Sequence, residues 1–157
     1  MSVLVKGNQF DLEELYKNVD GFPNGADEFI GRKWIINAID SGSIQSIEWI
    51  INKKVEINFI DEEGRSPLMN ALERRPASRY QVLELLLDNG ADPNLQGVNY
   101  TAAHLAAIRD DVEALEILHD HGADFSIRTR IDHCLTPLEE AISCKKKNAI
   151  EYLKKFA

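Results

Sequence analysis

Four histidines, two cysteines and a few carboxylate clusters are the groups in this 157-residue chain with the chemistry to bind a metal or attack a substrate. His119-Asp120-His121 comes nearest to a metal pair, imidazole being a common zinc ligand. Two residues apart on a helix, however, the rings face different ways and do not readily share one ion. His133-Cys134 with Cys144 supplies at most three ligands and lacks a paired Cys-x-x-Cys, so no metal is expected. Cys144 adjoins Lys145-Lys146-Lys147, whose charge favours a thiolate, but neither cysteine has the context of a nucleophile, and inert thiols are expected. Asp61-Glu62-Glu63 and Glu139-Glu140 are the densest carboxylate groups, and Asp61 to Glu63 falls in a solvent-facing turn, where a solvated cluster rather than a glycosidase-like acid pair is expected. Phosphate-cradling glycine loops, GxSxG elbows and HExxH helices are absent from the sequence. No catalytic residue and no cofactor are expected, and a thiol- or metal-dependent enzyme would require Cys134, Cys144 and His133 to converge.

Composition narrows the class further. Hydrophobic residues make up 44% and charged residues 28%, the balance of a folded globular domain. A net charge of -8 repels phosphate backbones, so nucleic acid is not an expected partner. Apolar runs of five residues or fewer fall far short of the roughly 20 that a membrane span needs. Val3-Leu4-Val5 is too short for a signal-peptide core, and two cysteines are too few for a disulfide framework. A reduced, cytoplasmic protein that is monomeric when unbound is expected.

The elements that position these groups repeat. Ala38, Ala71, Ala106 and Ala141 are spaced by 33, 35 and 35 residues. Three positions before them stand Ile35, Leu68, Ala103 and Leu138, and one position after stand Ile39, Leu72, Ala107 and Ile142. That i, i+3, i+4 pattern is one apolar stripe on a short helix. A second stripe follows in each unit: Ile47, Trp49 and Ile50; Leu83, Leu85 and Leu86; Leu115, Ile117 and Leu118; Ile150, Tyr152 and Leu153. An alanine column lets neighbouring helices approach closely, and stacking must complete a core that a single unit leaves open. Ser66-Pro67 and Thr136-Pro137 are helix starts, Asn89-Gly90 and His121-Gly122 helix ends, and polar, turn-rich hairpin-like loops lie between units.

Gly64-Arg65-Ser66-Pro67-Leu68, Leu85 to Asn94, Thr101-Ala102-Ala103-His104-Leu105-Ala106-Ala107 and His121-Gly122-Ala123-Asp124 together resemble the ankyrin repeat, a unit of a turn, two antiparallel helices and a projecting loop. The resemblance implies an all-α ankyrin solenoid of about four helix-turn-helix repeats, at about 28–60, 61–95, 96–130 and 131–157, with residues 1–27 as an N-terminal helical cap built on Asp11 to Lys17. It also implies that His104 ties its repeat's turn together. The first unit departs from the pattern with Lys33-Trp34 for threonine-proline and Lys54 for glycine, so Lys54 is expected either to hold a left-handed backbone or to end its helix differently. Extra residues near Arg75 to Ser78 and near Thr129 to His133 are expected to sit in loops.

By the same resemblance, function is expected to be protein binding through loop tips and the concave face, without catalysis. That surface takes Arg32, Asp40 and Ser41 from the first unit; Glu62, Glu63, Arg65, Glu73 and Arg74 from the second; Val98, Tyr100, Ile108 and Arg109 from the third; Arg128, Arg130, His133 and Lys145 from the fourth. Val98, Tyr100, Ile108 and Arg109 have the composition of a binding hot spot, although Tyr100 and Ile108 could instead pack against the next unit. Acidic charge in the second unit and basic charge in the fourth imply a basic or mixed-charge partner. An adaptor or stoichiometric inhibitor fits, with a bacterial immunity protein masking a toxin domain as a specific case.

Overall fold

The computed structural model describes residues 9–19, 21–26, 31–74, 78–131 and 133–157. Helices are α1 (Gln9–Asn18), α2 (Trp34–Ser41), α3 (Ile44–Asn52), α4 (Pro67–Glu73), α5 (Arg79–Asp88), α6 (Ala102–Ile108), α7 (Val112–Asp120), α8 (Pro137–Ser143) and α9 (Lys147–Leu153). A short 3-10 turn over Lys154–Phe156 follows. The inner helices α2, α4, α6 and α8 stack in sequence order, and the outer helices α3, α5, α7 and α9 stack behind them, with α1 against α3. Ala38, Ala71, Ala106 and Ala141 all lie at the centre of the stack with no solvent exposure, as the column of small residues requires.

The boundaries follow the residues at them. Ser66 accepts from the Met69 amide at 3.4 Å and Thr136 from the Glu139 amide at 3.3 Å, each with proline opening the helix behind it. Gly90 and Gly122 turn out of α5 and α7 with φ of +91° and +87°. Lys54, at the matching end of α3, takes φ +57°, the first of the two expected outcomes and one that costs a side-chain-bearing residue energy. The extra segment of the second unit, at 75–77, lies outside the described residues, as do the first eight residues of the expected cap.

Between the helix pairs the chain forms stacked fingers. Within fingers, Asp61 donates to the Arg65 carbonyl at 2.9 Å, Gly97 to Tyr100 at 2.8 Å and Thr129 to Leu135 at 2.8 Å; between fingers, Val98 donates to Gly64 at 3.0 Å and Arg130 to Asn99 at 3.1 Å. The approach leaves no room for a side chain: a Cβ on Gly97 would run into the Gly64 carbonyl. Asn58 and Asn94 staple successive repeats at the opposite, outer-helix ends. The Asn58 amide donates to the Gly90 carbonyl at 2.9 Å while its oxygen accepts from Asp92 at 2.8 Å, and Asn94 does the same to Gly122 and Asp124 at 3.0 and 2.7 Å.

Candidate functional site: the concave face and finger tips

Ion pairs fix much of the concave face before any partner arrives. Arg65 pairs with Glu63 on its own finger and reaches Glu73 on α4 at 3.5 Å; Glu73 in turn holds Arg109 from the next repeat at 2.7 Å. Arg32 pairs with Asp40 at 2.5 Å, and Arg128 with Glu139 at 2.9 Å. Individually such half-exposed pairs stabilise by only ~0–1 kcal/mol. Their collective effect is to restrict rotamers, which lowers the ordering cost of binding. The second unit's carboxylates are therefore largely matched within the chain, whereas Glu62 and Arg130 are exposed and make no ion pair among the described residues.

Two arginines carry a second task that sequence reasoning missed. Arg74 donates through its guanidinium to the carbonyls of Ala38, Ile39 and Gly42 and to the Ser78 hydroxyl, closing the C-terminal end of α2 in the preceding repeat. Burial pushes its pKa down, opposed by the Asp40 carboxylate. Arg109, 35 residues later, donates to the Leu72 carbonyl at 2.9 Å and so closes α4. Carbonyls left over at a helix end need such donors, and cations there oppose the helix dipole favourably. The spacing, equal to one repeat, was the available signal, but it carries meaning only once the end of one inner helix is known to lie beside the next repeat.

The remaining expected site residues distribute along the same edge. Val98 is exposed at a finger tip, while Ile108 and Tyr100 are half-buried; Tyr100 leans on the core, with its ring 6.3 Å from that of His104. Asp40, Ser41, Arg109, Arg128, Arg130, His133 and Lys145 are exposed. Between α2 and α4 a cleft of about 260 Å³ is lined by Asp40, Arg65, Asn70, Glu73 and Arg74. The Nε of Arg65 is buried there without a hydrogen-bond partner among the described residues.

The groups with chemical potential take separate places. His104 is fully buried, and its Nδ1 accepts from the Thr101 amide at 3.2 Å and faces the Thr101 hydroxyl at 2.8 Å. Its Nε2 lies 3.0 Å from the Leu135 carbonyl, which only accepts, so the network assigns the proton to Nε2. Burial lowers the His104 pKa, against the opposing hydrogen bonds to the Leu135 and Ile127 carbonyls; the imidazole links its own turn to the next finger. The His119 ring lies tilted against that of Phe156, centres 4.5 Å apart, whereas His121 bonds the Ile117 carbonyl at 2.8 Å and Asp88 at 3.1 Å, so the two rings have different surroundings. Cys134 and Cys144 are free and exposed. Among the described residues no group of three or more His, Cys, Asp or Glu side chains is placed to hold a metal ion, and no helix is long and apolar enough to cross a membrane.

Paired helices stacked in register, with hydrogen-bonded fingers along one edge, define a helical repeat solenoid of the finger-bearing type. The family model for ankyrin repeats (3 copies) matches residues 3–97 and 77–156, and the chain belongs to the ankyrin repeat family. It is 34% identical over 103 residues to the ankyrin repeat protein FPV031 of fowlpox virus (strain NVSL), covering 63% of this chain and 29% of that protein. It is 33% identical over 92 residues to the ankyrin repeat and KH domain-containing protein mask-1 of Caenorhabditis elegans, covering 57% and 3%. An ankyrin repeat-containing protein of Treponema pallidum (strain Nichols) is 29% identical over 126 residues, covering 79% and 41%. The chain thus spans less than half the length of each of these relatives. Ankyrin repeats are generally non-enzymatic protein-interaction modules.

Proposed function

We propose that the chain is a non-enzymatic binding module, an adaptor or stoichiometric inhibitor, that grips one protein partner along the finger tips and concave face and is monomeric when free. The observation that supports this reading most is the prearranged Glu63–Arg65–Glu73–Arg109 ladder beside a polar cleft lined by Asp40, Asn70 and Arg74. The neighbouring Val98, Glu62 and Arg130 supply exposed apolar and charged contacts. The net charge of -8 favours a basic partner, and a basic toxin domain neutralised in the cytoplasm is the specific case it fits.

Affinity capture from the native host, with wild type run beside a Val98→Asp/Arg130→Glu variant, tests the proposal. A partner held by wild type and lost by the variant, with both proteins melting at the same temperature, supports it. Equal retention by both would overturn the assignment of this face. Val98 and Arg130 are preferred to Arg109 as probes, because removing Arg109 also opens the end of α4.

A further inference from the structure

Behind the inner helices, a groove of about 420 Å³ lies between the outer helices α5 and α7 of the two central repeats. Tyr80 and Ile117, both half-buried against the core, supply its apolar contact surface. Its walls are acidic, with Glu84 on α5 and Glu113, Glu116 and Asp120 on α7. Glu84 and Glu116 belong to a column, Glu48, Glu84, Glu116 and Glu151, that places one exposed glutamate on each outer helix directly after the buried or half-buried Ile47, Leu83, Leu115 and Ile150. Only the middle two of the four line the groove.

These carboxylates are treated differently from those of the concave face. There, Asp40, Glu63, Glu73 and Glu139 are each held by an arginine. In the groove, Glu84, Glu113, Glu116 and Asp120 are exposed, and among the described residues none pairs with a lysine or arginine; Asp120 has the neighbouring His119 ring at 3.6 Å. The helix α7 contains no lysine or arginine at all. Its carboxylates at i, i+3 and i+7 share one ridge, where like charges oppose helix formation, and Asp120 stands in the last turn, where the helix dipole favours a cation. Such an arrangement works against the helix until positive charge arrives from outside.

The negative field reaches the outer helices on both sides of α7. Burial, then the hydrogen bond to Asp111 and the charges of Asp111 and Glu113, raise the Tyr80 pKa; burial, then the charges of Glu116 and Asp120, raise that of Tyr152. A bare metal ion is a poor match, because no group of three or more His, Cys, Asp or Glu side chains among the described residues is placed to hold one. Arginine is a better match: its planar fork pairs with carboxylates while its flat face and methylene stem pack on aromatic and aliphatic groups such as Tyr80 and Ile117.

We propose that the groove between α5 and α7 is a second interaction surface, independent of the concave face, that takes an arginine-rich segment of a protein partner. The guanidinium groups pair with Glu84 on one wall and with Glu113, Glu116 and Asp120 on the other, and the stems lie along Tyr80 and Ile117. Charge complementarity selects this occupant and repels an acidic one.

The test titrates the full chain into a short fluorescein-labelled peptide of alternating Arg and Ala, read by anisotropy at about 0.15 M salt, where diffuse attraction is largely screened. Saturable binding is expected, weakened about tenfold or more by Glu84→Gln/Glu116→Gln. Glu48→Gln/Glu151→Gln removes the same charge from the same column outside the groove and should weaken binding by less than about threefold. Both double variants should melt as wild type does. A peptide with citrulline in place of arginine keeps the length and loses the charge, and it should not bind. Absence of saturable binding, or retention of the citrulline peptide, would overturn the proposal. Equal weakening by the two double variants would also overturn it, by reducing the effect to the net charge of -8. So would a concentration-dependent dimer in sedimentation that Glu84→Gln/Glu116→Gln converts to monomer, since a second copy would then be the occupant.

Discussion

The two ends of the stack carry similar apolar columns and treat them differently. At the amino-terminal end α1 lays Leu12, 1% exposed, against the first repeat, and Phe22 stacks on Trp49 at 5.6 Å and meets Trp34 edge-on at 5.1 Å. The Trp49 indole donates to Glu13 at 2.9 Å, which holds that carboxyl below the usual carboxylate range, and Lys53 lies over the rings of Tyr16 and Trp49. At the other end, Ile142 faces solvent and Phe156 is 43% exposed. What makes a residue core in a solenoid is therefore the presence of a neighbour on its far side, because each repeat contacts only the units next to it.

Truncating one residue at each end gives the largest contrast. Leu12→Ala should destabilise by about 2–5 kcal/mol, since a fully buried leucine leaves a cavity. Ile142→Ala should stay within about 0.5 kcal/mol, as expected for surface positions. Urea denaturation midpoints of the two variants measure this directly, and comparable losses would mean that the carboxy-terminal end is covered.

In the middle of the stack, where both sides are occupied, Gly97→Ala should cost about 1–3 kcal/mol through the collision with Gly64. Thermal melting reads the loss. A neutral outcome would show that successive fingers slide apart easily, making the interior as loose as the open end.

The histidines sharpen the comparison through pH. His104, mid-stack, has its pKa lowered by burial, so below about pH 6.5 the unfolded chain binds a proton the folded one refuses, and stability falls. His121 has the opposite sign: hydrogen bonds to the Ile117 carbonyl and then Asp88 raise its pKa, giving stability that is present below the unfolded value and lost as pH rises through the folded one. Removing that compensation with His121→Ala should steepen the loss between about pH 7.5 and 5.5, as followed by urea midpoints. A flatter profile in the variant would reverse the assigned roles.

Much of this arrangement was legible in the residues. The alanine column required stacking, Ser66-Pro67 and Thr136-Pro137 opened helices where expected, and Asp11 to Lys17 formed the helix that covers the first repeat. Local chemistry determines those features, so a single segment suffices to read them. The arginine closures at Arg74 and Arg109 and the Asn58 and Asn94 staples join atoms about one repeat apart, and their partners are backbone groups that carry no side-chain signature. Ile142 was illegible for a different reason: it matches its column in residue type, and only the missing neighbour distinguishes it. Lys54, by contrast, announced its strain by departing from the glycine of the later units.

The smallest expected effect concerns that residue. Lys54→Gly should stabilise the chain by about 0.5–1 kcal/mol by relieving the left-handed backbone next to the capped end. A differential scanning measurement with no rise in melting temperature would refute it.

Amide hydrogen exchange on the intact chain under native conditions reads every repeat at once, and stability in such a stack depends on how many neighbours each unit has. Protection should be greatest in α4 to α7, sustained in α2 and α3 beneath the cap, and lowest in α8 and α9. Protection in α9 equal to that in α5, or uniform from end to end, would contradict a stack whose units are made stable by the neighbours they touch.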